Sequence, residues 1–258
     1  YIGYYAGAGA SGQSNSNNTA VGYEALKVIT TGGSNTAVGY QALDAITSGA
    51  GNVALGRGTL GALNTGTSNV AIGNESLSSL TGTMVGLTAV GYDSLKSLTS
   101  GASNTAVGYE AGKLMTDNAG NTILGYQAFK AADAGENDNT VIGYLAGSAI
   151  NSASSDNNVI IGKSAGTGGT GLMSGCIYIG YKAGENTHVR NQYDNVFIGR
   201  GVAGVAFAGQ SDNNVAIGSL AMGAGALNGA TLNVAVGFES LKSLTTGDSN
   251  VAMGAIAG

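Results

Sequence analysis

An all-β chain, wound as a parallel β-solenoid of about fifteen coils, is predicted by two observations. A glycine recurs at Gly3, Gly22, Gly39, Gly56, Gly73, Gly91, Gly108, Gly125, Gly143, Gly162, Gly180, Gly199, Gly218, Gly237 and Gly254, at intervals of 17 to 19 residues. A fixed period near twenty marks a solenoid. Each glycine also closes a segment such as Asn35-Thr36-Ala37-Val38-Gly39, whose β-branched residues alternate with small ones in the manner of a short strand.

The aligned copies form five columns. The first is Asn in every complete copy except two, where Leu87 and Cys176 stand. The second is always β-branched, from Thr19 and Thr36 to Val234 and Val251, and the fourth always apolar, from Ile2 and Val21 to Met253. With a period of two, these columns share a face, and their bulk predicts that this face lines the buried core. The third column then points outward. It is mostly alanine, at Ala20, Ala37, Ala54, Ala71, Ala89, Ala106, Ala216, Ala235 and Ala252, a flat stripe suited to close packing of another chain as a candidate trimer interface. The fifth column, glycine, implies a positive φ or a close backbone approach. Asn and Gly alone could simply make turns, but their recurrence in register favours ladders, with the Asn side chains hydrogen-bonding along the solenoid axis. Valine at a rung glycine such as Gly73 or Gly108 is therefore expected to destabilise more than at a connector glycine such as Gly101.

The unbroken repeat argues for a single array over residues 1–258, despite a length that would allow two domains. Within it, 1–125 reads as regular coils, 126–218 as longer, loop-rich coils and 219–258 as a return to the regular form. In the regular coils apolar residues stand four and seven positions after the glycine, as in Leu26/Ile29 and Leu95/Leu98, with Glu, Ala and Lys between. That spacing predicts short helical turns. In the longer coils the third column turns bulky, at Ile123, Val141, Ile160, Tyr178 and Phe197, which predicts a widened trimer there. Position four is often glycine in the same coils, at Gly147, Gly166 and Gly184.

A net charge of −5 and a pI near 4.7 give no basic stripe, so nucleic acid is a poor partner. No apolar run approaches the ~20 residues of a membrane span, so direct membrane insertion of this segment is not expected. The chain opens on Tyr1-Ile2-Gly3, the end of a rung, and reads as a piece of something longer.

The NTAVGY, NVAIG and NNVIIG rungs resemble the head repeats of YadA-like trimeric autotransporter adhesins. The longer form, GYEALKVITTGGSN or GYQALDAITSGAGN, is similar to repeat arrays of phage tail-fibre proteins, and the likeness spans practically the whole chain. The resemblance implies a left-handed parallel β-roll in which three chains pack side by side through the small column. The coils are longer than the usual adhesin head coil. Neck, stalk and membrane anchor motifs do not occur in this stretch.

Little chemistry stands out. One histidine and one cysteine are present, with no nucleophile elbow, phosphate loop or metal-spaced cluster, so the reading is non-enzymatic, without cofactor or metal. Cys176 reads as a buried structural thiol. Glu136 and Asp138 are close enough to suggest a glycosidase pair, but turn duty explains them better. The tyrosines after eight rung glycines could bind sugars or seal the corner. The densest mix of charge and aromatics comprises Lys182, Glu185, His188, Arg190, Tyr193 and Arg200, either a solvated loop or a contact set for a cell-surface glycan or protein receptor. The expected role is attachment by an extracellular homotrimer, as a virion tail fibre or bacterial surface adhesin. A glycan-cleaving tailspike and a structural spacer are the alternatives.

Overall fold

The computed structural model describes residues 1–10, 15–168, 171–186 and 190–258. The chain is an all-β parallel solenoid of about 13 turns, and among the described residues the only helix is the 3-10 turn Ala8–Ala10. The segment ending at Gly3 contributes a single bridge, Ile2 to Val21, so closed turns are fewer than rung glycines.

Two compact units, Tyr1–Asn121 and Thr122–Gly258, divide the chain. The first carries β1 (Thr19–Val21), β2 (Thr36–Val38), β3 (Val53–Leu55), β4 (Val70–Ile72), β5 (Thr88–Val90) and β6 (Thr105–Val107), stacked parallel in chain order. The second carries β7 (Thr122–Leu124), β8 (Thr140–Ile142), β9 (Val159–Ile161), β11 (Ile177–Ile179), β13 (Val196–Ile198), β14 (Val215–Ile217), β15 (Val234–Val236) and β16 (Val251–Met253) in the same arrangement. A separate two-stranded sheet there pairs β10 (Met173–Ser174) with β12 (Gln192–Tyr193). Register runs column to column, with Ala37 opposite Ala54 and Tyr178 opposite Phe197.

The strand faces are the reverse of the sequence expectation. Ala20, Ala37, Ala54, Ala71, Ala89, Ala106, Ala216 and Ala235 are at most 1% exposed and Ala252 is 9%, whereas columns two and four are half-exposed or exposed in every rung strand. The alanine column is thus the interior and cannot serve as the trimer interface. The reason is space. A three-residue strand turns only its central side chain inward, and the interior is otherwise filled by connector residues such as Leu26, Ile29, Leu43 and Ile46, all fully buried. Small residues fit between the two walls, and the β-branched ones are displaced outward.

The expected helical turns are also absent. Glu24 and Leu26 have φ of 57° and 51°, and Gln41 and Leu43 repeat the pattern at 53° and 51°. A right-handed turn cannot hold these values. Their amides bond to other coils instead, Glu24 N–H to the carbonyl of Tyr4 and Leu26 N–H to that of Ala42. The i, i+3 pair Leu26/Ile29 therefore reports two successive tight turns with both side chains inward, closed by Ile29 N–H donating to the Leu26 carbonyl. Local propensity loses here to hydrogen bonding between coils.

The first and fifth columns behave as expected. In each Asn ladder Oδ1 accepts both the N–H and the Nδ2 of the next Asn, at 3.0 and 3.0 Å from Asn52 to Asn35 and at 3.0 and 3.1 Å from Asn69 to Asn52. Nδ2 also donates to a carbonyl of the facing connector, as Asn52 does to Gly66 at 2.8 Å. Leu87 and Cys176 interrupt the side-chain ladder, yet their N–H groups still donate to Asn69 and Asn158 at 3.0 and 2.9 Å. Rung glycines have φ between 125° and 144°, and a Cβ on Gly56 would lie 2.5 Å from the carbonyl oxygen of Gly73. Glycine is needed there on both counts.

The bulky third column does not widen anything outside the coil, because it too points inward. Tyr178 and Phe197 are fully buried and stack at 5.0 Å. Room for them comes from within the same coil. A Cβ on Gly184, four residues after its rung glycine, would sit 2.6 Å from the Tyr178 ring, and one on Gly147 would sit 3.3 Å from Val141. Where coils such as Ala37/Leu43 pair alanine with leucine, Val141 and Tyr178 pair with Gly147 and Gly184, a volume-conserving exchange across one interior, while Phe197 shares its coil with Ala203.

Candidate functional site

Three surfaces carry the side chains that face solvent. The first is the outer face of the rung strands. In the second unit it presents Val159/Ile161, Ile177/Ile179, Val196/Ile198, Val215/Ile217 and Val234/Val236 in successive strands. Leu124 and Ile217 are 48% and 38% exposed on this face, and Leu55 is 44% exposed on its counterpart in the first unit. A pleated surface with two aliphatic columns and no charge leaves a contiguous apolar area in water.

The second surface is the corner after the rung glycine. Tyr4, Tyr23 and Tyr40 stack there, Tyr23 on Tyr40 at 5.2 Å and 9°. Tyr92 stacks on Tyr109 at 5.2 Å and 10°, and Tyr126 on Tyr144 at 5.2 Å and 11°. Each side chain remains about half-exposed. Stacking covers the ring faces and leaves the edges in water. The outer face of Tyr144 is met by the Lys163 ammonium at 5.5 Å. Sugars stack on aromatic faces, so this arrangement suits corner sealing better than sugar binding. The neighbouring Glu24 charge raises the Tyr23 phenol above its ordinary value.

Beside the tyrosines in the first unit runs a ladder of alternating charge that sequence reasoning missed. Arg57 pairs with Glu75 at 3.0 Å, Glu75 with Lys96 at 2.6 Å, Lys113 with Asp93 at 2.9 Å and with Glu110 at 2.6 Å. Its signal was an acid and a lysine three residues apart in Glu24/Lys27, Asp93/Lys96 and Glu110/Lys113, which looked like helix stabilisation. Tight turns bring the pairs together instead. The hydrogen bond from Lys96 holds the Glu75 carboxyl below the usual carboxylate range, and the one to Glu75 raises the Lys96 ammonium. A lowered carboxylate contributes stability above its unfolded pKa and loses it as pH falls through the folded value. Glu75→Gln should therefore flatten part of the acid limb of the melting-temperature profile and leave neutral stability little changed, since such pairs are worth about 1 kcal/mol or less.

The third surface is the polar connector of the second unit. Lys182 and Glu185 form an ion pair at 2.9 Å, and the Lys182 ammonium lies 5.8 Å from the Tyr181 ring. Arg190 is exposed and its Nε donates to the Ala208 carbonyl at 3.3 Å. Tyr193 belongs to β12, where its N–H donates to Asp212 at 3.0 Å. Arg200 directly follows a rung glycine and its carbonyl accepts from Leu220 N–H. His188 lies outside the described residues. The structure joins Lys182 directly to Glu185; Arg190 and Tyr193 stand on the approach to the next rung, on the other side of its strand from Arg200.

Other candidates have structural duties. Cys176 is buried, its Sγ donating to the carbonyls of Ser174 and Gln192 at 3.6 and 3.7 Å, and burial pushes the thiol up to about 11. The native protein should resist a maleimide at neutral pH and react only when unfolded, as mass spectrometry of labelled protein would show. Glu136 is buried, and Asp138 is the left-handed residue, φ 56°, that precedes Asn139. The described residues form no pocket. The chain matches no protein-family model, no curated protein and no solved structure.

Proposed function

We propose that the chain is a segment of a trimeric, extracellular fibre used for attachment, as a phage tail fibre or bacterial surface adhesin, without catalysis of its own. One observation supports this most: the outer strand face is an uncharged aliphatic ladder repeated in register from strand to strand. Columns two and four, rather than the alanines, form the interface between copies. Identical chains are the natural occupants, because a repeated row on one copy meets the same row on the next at the same spacing. Burial of the Cys176 thiol in the interior supports the non-catalytic part of the reading.

Receptor contact is assigned to the polar connector around Lys182, Glu185, Arg190, Tyr193 and Arg200, with a cell-surface glycan or protein as ligand. Light scattering tests the assembly. Wild type should be trimeric at micromolar concentration, and Ile217→Lys should yield a folded monomer. Leu232→Lys, which changes an apolar side chain 58% exposed elsewhere, should stay trimeric. A wild-type monomer would defeat the proposal. Binding of the isolated chain to whole cells distinguishes an adhesive segment from a spacer, and release of sugars from capsular or lipopolysaccharide preparations would reveal a tailspike.

A further inference from the structure

We infer that the tyrosine stacks are modification sites, at which one-electron oxidation joins neighbouring coils through dityrosine bonds. The reading rests on geometry and is independent of the proposed function. Tyr23/Tyr40, Tyr92/Tyr109 and Tyr126/Tyr144 are each nearly parallel at 5.2 Å, and each pair joins successive coils. All are between 41% and 48% exposed, so an oxidant reaches their edges while the stack holds the partner ring beside them.

The oxidant is hydrogen peroxide turned over by a haem peroxidase. It takes one electron and one proton from each of two phenols, leaving two tyrosyl radicals and two waters. The radicals combine through the ring carbons ortho to the oxygens. The hydrogens on those carbons then move to the oxygens, restoring both phenols around one new carbon–carbon bond. Coupling needs the rings to pivot out of the stack edge to edge, and their exposure permits it. Holding both radicals on adjacent coils gives each an effective partner concentration far above that of a second chain at micromolar dilution. The surroundings select the pairs. Tyr181 is flanked in its column by Lys163 and Arg200 in place of tyrosine, and Tyr178, though stacked on Phe197, is fully buried.

The test oxidises the full chain with peroxidase and peroxide, using an equal mixture of isotopically light and heavy protein, followed by peptide mapping. Products joining Tyr23 to Tyr40, Tyr92 to Tyr109 and Tyr126 to Tyr144 should appear, each lighter than its parent peptides by two hydrogens and of unmixed isotope. Unfolding in urea before oxidation should lower their yield about tenfold. Tyr92→Phe, which keeps the stacked ring, should remove the Tyr92/Tyr109 product and spare the other two. Absence of these products, equal yield from unfolded chain, or products only of mixed isotope would overturn the inference.

Discussion

Gly73→Val should lower stability by about 4 kcal/mol or more, enough to unfold the surrounding coils. Two costs add. Gly73 has φ of 128°, a conformation closed to β-branched residues, and its added Cβ would collide with the carbonyl of Gly91. Backbone strain of this kind costs about 1–3 kcal/mol and overpacking a similar amount. The neighbour cannot yield, because the colliding atom is backbone of the next rung, held by its own ladder. Gly82→Val is the matched control. It has φ of 73° but nothing within 4 Å of its Cβ, so about 1–2 kcal/mol is expected. Gly58→Asn, at φ 64° in a position held by Glu24 and Gln41 in other coils, should be nearly neutral. Urea unfolding midpoints rank the three. Gly101, a tolerant position on sequence grounds, belongs with the costly class, because its φ is 100° and its Cβ would strike the Asn118 carbonyl.

The second large effect is expected in the asparagine ladder. Asn214→Ala removes an Oδ1 that accepts from Asn233 N–H at 3.1 Å and from its Nδ2 at 3.0 Å, and an Nδ2 that donates to the Ala230 carbonyl at 2.9 Å. Asn214 and Asn233 are fully buried, so the abandoned groups have no water to turn to. Each such group costs about 1–3 kcal/mol, placing the loss near 4 kcal/mol by the same urea measurement. Asn250, at the part-buried end of its ladder, should cost less when replaced by alanine, since its bonds to Asn233 lie nearer solvent.

The period, the strand positions, the register, the asparagine ladder and the close-packed glycine column were legible in the sequence, because Asn35 and Gly39 recur in fixed places and each implies one kind of contact. The direction of the strand was not. Ala37 shares its parity with Asn35 and Gly39, and the burial of the amide ladder places all three inside. Ordinary hydrophobic ranking instead favours Thr36 and Val38 for the core. That rule holds where two wide sheets face each other. It fails in a coil whose opposite wall already supplies Leu43 and Ile46. The connectors were misread for a related reason: Glu24 and Leu26 are helix formers, but their left-handed φ is enforced by bonds to Tyr4 and Ala42 in other coils, which no local window contains. Within the candidate contact set, the ion pair between Lys182 and Glu185 came from the structure, where a tight turn brings the two side chains together.

Inheritance of the array is constrained by the exchange of bulk between Tyr178 and Gly184. Genetic slippage adds or deletes whole periods, and coils that pair alanine with leucine, such as Ala37 with Leu43 and Ala54 with Leu60, can be copied or lost without altering the cross-section. A breakpoint between Tyr178 and Gly184 would instead join an aromatic strand to a leucine connector, giving a coil too full, because a Cβ on Gly184 would already meet the Tyr178 ring. The heritable module therefore begins at the asparagine and runs through the connector that follows. Length variants of this array should have their junctions just before that residue, in stretches such as Gly32-Gly33-Ser34.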